Sequence, residues 1–310
     1  MKNFNPRTIL WMVFASSIFL LWSNYQQRNM SAQQAVAQQS AAQNQVAANS
    51  NGASSNTTTN STNASSNSPI SNSLNFTGVP VVLENDVLKL NINTQGGVVQ
   101  FAMLKQFFNS HNKSLNTVLF NSKNANPDVI SPNEMYVSRS GLTDVGLDHT
   151  TIFTADAPMA VMQDGQNSVS LTLSAQNNGI TLKKTYTLHR GSYLMDVSYE
   201  VQNNSAQAIR PDVYMEIVRD GAQNGDSKFY TTYTGPVVYN ATDKFKKVSF
   251  IDIAKNKPGF TEKSDIGWVG MLQHYFVSAW VVPETRERTF YTRTLQAASA
   301  PEQGIYSVGE

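Results

Sequence analysis

The densest group of side chains able to hold a ligand lies between Gly267 and Trp280, in the sequence GWVGMLQHYFVSAW. Two tryptophans, a tyrosine and a phenylalanine offer rings that stack on a sugar or grip an apolar peptide, and a histidine adds a polar group. Aromatic residues also dominate the burial of hydrophobic cores, so the pattern favours core packing. It leaves a candidate binding surface as the alternative, formed by Trp268, His274, Tyr275, Phe276 and Trp280.

Catalytic and metal-binding groups do not cluster in this sequence. The histidines His111, His149, His189 and His274 are widely separated, and none shows the H-x-x-x-H spacing of a zinc site. Asp148 and His149 are neighbours, but adjacent residues of a strand point to opposite faces. The chain has no cysteine and neither a G-x-S-x-G nor a phosphate-binding loop motif. We therefore predict no catalytic residues, no metal and no cofactor.

Hydrophobic residues beyond position 79 recur with a period of two. Leu88, Leu90 and Ile92 alternate with polar residues before Gly96-Gly97, which we interpret as a turn or bulge. Further strands are predicted around 169–173, 180–188, 195–201 and 211–217, and Asn178-Gly179 gives the strongest hairpin signal. No amphipathic helix is comparably clear. The pattern predicts an all-β fold of antiparallel sheets packed as a sandwich.

The segment from Ile9 to Trp22 is apolar and, with Thr8 and the residues to Tyr25, reaches a length marginally sufficient to span a bilayer. The residues after it lack a pair of small residues at cleavage spacing, so an uncleaved signal anchor is favoured over a cleaved signal peptide or a soluble core helix. Lys2 and Arg7 before the segment, against Arg28 after it, place the N-terminus in the cytoplasm.

Composition divides the chain into four parts. Residues 1–7 are a cytoplasmic stub and 8–25 the transmembrane anchor. Residues 26–78 form a tether rich in Asn, Gln, Ser, Thr and Ala, which we predict to be disordered, and 79–310 form one β-domain. The formal net charge of +1 provides no long-range field for nucleic acid, which is excluded as a partner.

Several blocks along the chain resemble, in the same order, the YidC family of bacterial membrane protein insertases in its Gram-negative form. The segment GWVGMLQHYFVSAW is similar to a block near the end of that family's first periplasmic domain. The other blocks are Asn93 to Gly97 (NTQGG), Ser140 to Leu142 (SGL) and Lys183 to Tyr193 (KKTYTLHRGSY), together with the anchor that Arg7 precedes.

The resemblance implies a β-supersandwich similar in fold to galactose mutarotases, standing in the periplasm on an inner-membrane anchor. It implies a non-enzymatic insertase and chaperone, whose partners are nascent membrane proteins, the Sec translocon with its accessory subunits, and the bilayer through Ile9 to Trp22. The family's insertion site lies in a later core of five transmembrane helices. After Trp22 this chain has no apolar run of that length, and it stops at Glu310, which we expect to lie inside the β-domain.

Two other functions remain open. A membrane-anchored carbohydrate-binding or mutarotase-like domain would use His189 or His274 with Glu216 as acid and base. An anchored structural or adhesive domain would explain the anchor, the tether and the sandwich, but not the ordered blocks.

Overall fold

A computed structural model describes residues 70–109, 112–122, 135–222, 232–273 and 275–310. The predicted anchor from Ile9 to Trp22 lies outside these residues. Within the described ranges, no helix has both the length and the apolar character needed to cross a membrane.

The largest element is a nine-stranded sheet. All its strand pairs are antiparallel except that between its last two strands. With strands numbered along the chain, its order is β18 (Tyr291–Gln296), β19 (Ile305–Gly309), β11 (Val213–Asp220), β5 (Met135–Leu142), β4 (Asn116–Ser122), β3 (Val98–Phe108), β2 (Leu88–Asn93), β1 (Pro80–Glu84) and β7 (Met159–Val161).

Two four-stranded antiparallel sheets accompany it. The first has the order β10 (Met195–Asn203), β9 (Ile180–His189), β8 (Ser168–Asn177) and β6 (Thr154–Ala155). The second has the order β13 (Lys244–Lys247), β12 (Gly235–Asn240), β15 (Gly267–Gln273) and β16 (Phe276–Val281). A small pair joins β14 (Lys263–Ser264) to β17 (Arg288–Thr289). Among the described residues, helix is limited to α1 (Phe250–Ala254) and a 3₁₀ turn (Pro301–Gln303).

The hairpin predicted at Asn178-Gly179 is confirmed. Asn177 at the end of β8 pairs with Ile180 at the start of β9, so the loop has two residues. Asn178 and Gly179 have φ angles of 49° and 79°. Positive φ at both central positions is the geometry that matches the right-handed twist of the flanking strands. The residue types of the loop therefore specify the register of this strand pair.

One face of the large sheet carries the main core. Leu83, Leu90 and Ile92 of this sheet pack with Leu171 and Leu182 of the β10-β9-β8-β6 sheet. Farther along the same face, Ile217 and Val308 pack with Val238 and Val269 of the other four-stranded sheet, together with Phe250 of α1. The two smaller sheets thus cover one face of the large sheet, which confirms the predicted all-β sandwich.

The second face of the large sheet is also covered over part of its area. Val98, Val137 and Val218 form a small buried cluster there, and Leu74 and Phe76 pack against it. Strand β11 is consequently buried on both faces. Tyr214 and Glu216, which alternate with the apolar residues of this strand, are buried as well.

Candidate functional site

The predicted aromatic surface is distributed over a hairpin formed by β15 and β16. Val269 is fully buried in the core, so Trp268 beside it lies on the outer face of the sheet. There its ring stacks on Tyr239, with ring centroids 6.2 Å apart and ring planes 9° apart. The ring centroid of Phe245 lies 6.0 Å from that of Trp268. Trp280 pairs with Val269 and packs against the core instead. The two tryptophans therefore lie on opposite faces.

The remaining residues of this segment lie at its turn. Tyr275 is 81% exposed, and Phe276 packs edge to face on Phe107 with centroids 5.5 Å apart. His274 lies outside the described residues. The structure thus joins Trp268 to Tyr239 and Phe245 rather than to Trp280.

The histidine and carboxylate of the alternative enzyme prediction have other partners. His189 Nε2 lies 2.8 Å from Asp196 Oδ2 on the exposed surface of the β8–β10 sheet. Glu216 lies in the large sheet, where its hydrogen bonds come from two arginines and a tyrosine.

The buried polar centre of the large sheet is built on three of its strands. Arg139 of β5 lies opposite Glu216 of β11 and donates from Nε to Glu216 Oε1 at 2.6 Å. Arg293 of β18 donates from Nη2 to both Glu216 oxygens, at 3.0 and 2.8 Å. Strand β19 lies between β18 and β11 and places Gly309 opposite Glu216. Glycine is required at this position, because a Cβ at Gly309 would lie 2.5 Å from the Tyr291 hydroxyl.

His149 and Tyr214 extend this network. Arg139 Nη1 lies 3.1 Å from His149 Nε2, and His149 Nδ1 lies 2.5 Å from the Tyr214 hydroxyl. A guanidinium can only donate, so Nε2 accepts and the ring proton sits on Nδ1. The backbone N–H of His149 also donates to the Tyr214 hydroxyl, at 3.0 Å. Arg139 therefore specifies one tautomer of a histidine that is 1% exposed.

Burial and the two guanidiniums set the charges of this network. Burial disfavours the ionised form of Glu216, but Arg139 and then Arg293 outweigh it and hold the pKa of this carboxyl below its ordinary value. Burial, followed by the charge of Arg139, lowers the pKa of His149 to about 4. At neutral pH the centre therefore holds two cations, one anion and a neutral imidazole. Such a centre is suited to binding hydrogen-bond acceptors rather than to transferring protons.

The acceptors already present belong to residues 70–77, which we name the strap. Arg139 Nη1 donates to the Ser73 carbonyl at 2.7 Å and Nη2 to the Ser71 carbonyl at 3.4 Å. Arg293 Nη1 donates to the Ile70 carbonyl at 2.8 Å. The strap lies in the part of the chain predicted as tether, yet its main chain is hydrogen-bonded to the centre of the large sheet.

Gln95 holds the other end of the strap. Its side-chain amide donates to the Asn75 carbonyl at 3.2 Å and accepts from the Thr77 backbone N–H at 2.6 Å. Gln95 belongs to the NTQGG block, which the sequence identified only as a turn. The turn therefore also supplies a side chain that binds backbone on both its donor and its acceptor side.

The sequence did not point to Arg139, Arg293 or the strap. Arg139 does interrupt the buried strand MYVSRSGL, and an arginine within such a strand is a signal that a carboxylate partner is needed. Nothing local identifies that partner, because Glu216 is 77 residues away. His149, the sequence neighbour of Asp148, accepts from Arg139.

Comparison with known proteins assigns the family. A family model described as the YidC periplasmic domain matches residues 80–309. The chain belongs to the YidC family. The resemblance carried by the ordered sequence blocks is thereby confirmed, and the β-sandwich of residues 80–309 is a YidC periplasmic domain.

Curated relatives agree with this assignment. A protein of Cupriavidus metallidurans named membrane protein insertase YidC is 33% identical over 98% of this chain and 53% of its own length. Proteins of the same name from Ralstonia nicotianae and Dechloromonas aromatica are 36% and 35% identical, over 92% and 96% of this chain and 51% and 52% of their own lengths. This chain therefore spans about half the length of the curated relatives it matches.

Proposed function

We propose that this chain is the N-terminal part of a membrane protein insertase. It would help nascent proteins pass from an aqueous environment into the inner membrane and fold there, alone or with the Sec translocon. The observation that carries the proposal is the match to relatives named insertases over 98% of the chain. The predicted anchor, Ile9 to Trp22, would hold the β-domain on the periplasmic side.

The complete protein would continue into the insertion machinery itself. The curated relatives are about twice as long as the matched region, which leaves room for the five-helix core that the family resemblance implies. The role of the β-domain would then be to contact exported segments or Sec accessory subunits before or during insertion. Its large exposed side chains, such as Tyr275 and Val281, and the outer face around Trp268 are candidate contact surfaces.

Depleting the complete protein from its native cell tests this proposal. A newly made inner-membrane protein would be pulse-labelled, and the protease protection of its translocated loop would report insertion. We expect protection to fall several-fold on depletion and to return when the complete protein is resupplied. Unchanged protection across a panel of membrane proteins would overturn the insertase assignment.

Resupplying the complete protein without residues 79–310 then separates the contribution of the β-domain. If fewer Sec subunits co-purify with this shortened protein than with the complete protein, the proposed contact is supported. Unchanged co-purification would count against it.

A further inference from the structure

The strap is bound chiefly through its backbone. Arg139 and Arg293 donate to the carbonyls of Ile70, Ser71 and Ser73. Gln95 makes one bond to a carbonyl and one to an N–H at the other end. Carbonyls and N–H groups are common to every polypeptide. These contacts therefore recognise main-chain groups rather than a particular sequence.

Side chains of the strap add polar and apolar contacts: Asn72 Oδ1 accepts from Arg293 and the Thr77 hydroxyl donates to Gln95, while an apolar cluster lies between them. Leu74 and Phe76 are two positions apart, so in an extended chain they point to the same side, and both pack against Val98, Val137 and Val218. The other strap residues are mainly serine and asparagine. The site thus accepts an extended segment with apolar side chains at alternate positions.

We propose that this face of the large sheet is a peptide-binding site, that the strap occupies it in cis, and that extended apolar segments of nascent membrane proteins exchange with the strap. The inference rests on the proposed insertase function for the identity of the ligand. The geometry of the site, however, is independent of that function. The backbone contacts of Arg139, Arg293 and Gln95 would pass from the strap to the incoming segment.

Exchange is physically reasonable because the strap fills the apolar cluster only in part. Leu74 and Phe76 are only partly buried, and no other strap side chain contributes to the apolar cluster. A segment with more apolar residues would remove more apolar surface from water, at roughly 25 cal/mol for each Å². The strap has the compensating advantage of being attached, which gives it a high effective concentration. A free peptide should therefore bind weakly until the strap is loosened.

The test measures binding of a fluorescent peptide with the sequence of the strap, ISNSLNFT, to the full chain by anisotropy. The chain carrying Leu74→Ser and Phe76→Ser should bind this peptide at least about tenfold more tightly than the wild type, because its own strap no longer fills the apolar cluster. A peptide in which the same leucine and phenylalanine are serine should not compete. Val277→Ser, on the exposed edge strand β16, is the matched control and should bind like the wild type.

A second variant keeps the test decisive if the double variant does not fold. Thr77→Pro removes the N–H that donates to Gln95, so one end of the strap is held less tightly, while the Leu74 and Phe76 side chains are unchanged. It should also bind the peptide more tightly than the wild type does. Equal affinities of wild type and a folded strap variant, or equal affinities of the two peptides, would overturn the proposal.

The peptide and depletion experiments fail independently. Selective peptide binding with unchanged membrane protein insertion would retain the site and reject its insertase context. Loss of insertion without selective peptide binding would retain the insertase and reject the exchangeable strap.

Discussion

At the scale of single residues, the centre of the large sheet is held by one carboxylate between two guanidiniums. Glu216 and Arg139 are both fully buried, and breaking such a pair leaves an uncompensated charge in a low-dielectric interior. Four of the five N–H donors of Arg139 are directed to acceptors, namely Glu216, His149 and the strap carbonyls. A lysine could not replace this arginine, since its single ammonium lacks the planar fork that reaches three directions.

His149 predicts a pH dependence of stability. Its pKa is lowered from 6.5 to about 4 in the folded protein by burial and by the charge of Arg139. Above pH 6.5 the imidazole is neutral in both states, so its contribution to stability is fully present. As the pH falls from 6.5 towards 4, the unfolded chain binds a proton that the folded chain does not, and the free energy of unfolding decreases.

Substituting His149→Gln removes this titration while retaining a donor and an acceptor. We expect the wild type to lose about 1–3 kcal/mol of unfolding free energy relative to this variant between pH 6.5 and 4. Urea titrations at several pH values measure the difference. His189→Gln removes an exposed histidine and should leave the loss in place. A difference between wild type and His149→Gln that does not vary with pH would contradict the argument.

At the scale of elements, turns were the features that the sequence specified best. Asn178-Gly179 gives a two-residue loop because its residue types tolerate positive φ, and everything that determines this loop is local. The parallel pairing of β1 with β7 was not predictable in this way. Strand β7 has three residues and little pattern of its own. Its pairing with β1 is determined by contacts between distant parts of the chain and not by its own sequence.

The Gly96-Gly97 turn between β2 and β3 also depends on residue type. Gly96 has a φ angle of 71°, and a Cβ added there would lie 2.3 Å from the His149 carbonyl oxygen. The backbone N–H of Gly96 donates to Thr151, and its carbonyl accepts from Lys184, so the turn cannot move away without losing both bonds. The turn therefore fixes Gln95 beside the strap.

Gly96→Ala should therefore destabilise the domain by about 3 kcal/mol or more, which exceeds the 1–2 kcal/mol expected for a left-handed conformation alone. Gly165→Ala is the matched control, because Gly165 has a φ angle of 81° but no atom within 4 Å of an added Cβ. Denaturant unfolding of both variants separates strain from steric clash. Similar losses in the two variants would show that the contact with His149 does not matter.

At the scale of the whole molecule, the sequence predicted the all-β sandwich but not what covers its second face. Alternation along β11 identified two sides, and both are buried, one of them in a polar network that is covered by residues far apart in the chain. Arg293 and Ile70, for example, are 223 residues apart. A pairing at that separation is set by strand order, and local periodicity carries no information about it.

The strap also makes a prediction about where the stable domain begins. A chain starting at residue 70 retains Leu74, Phe76 and the carbonyls bound by Arg139, whereas a chain starting at residue 79 retains none of them. Without the strap, Val98, Val137 and Val218 lose part of their cover and keep only that of Met135, Leu295 and Ile305. We expect the shorter chain to be less stable by about 2–4 kcal/mol, from the partial burial of two apolar side chains and the loss of hydrogen bonds to a charged group. Denaturant unfolding measures this difference, and a hydrophobic dye should bind the shorter chain more strongly. Equal stabilities of the two chains would mean that the strap rests on the sheet without stabilising it, and the domain would then begin at β1.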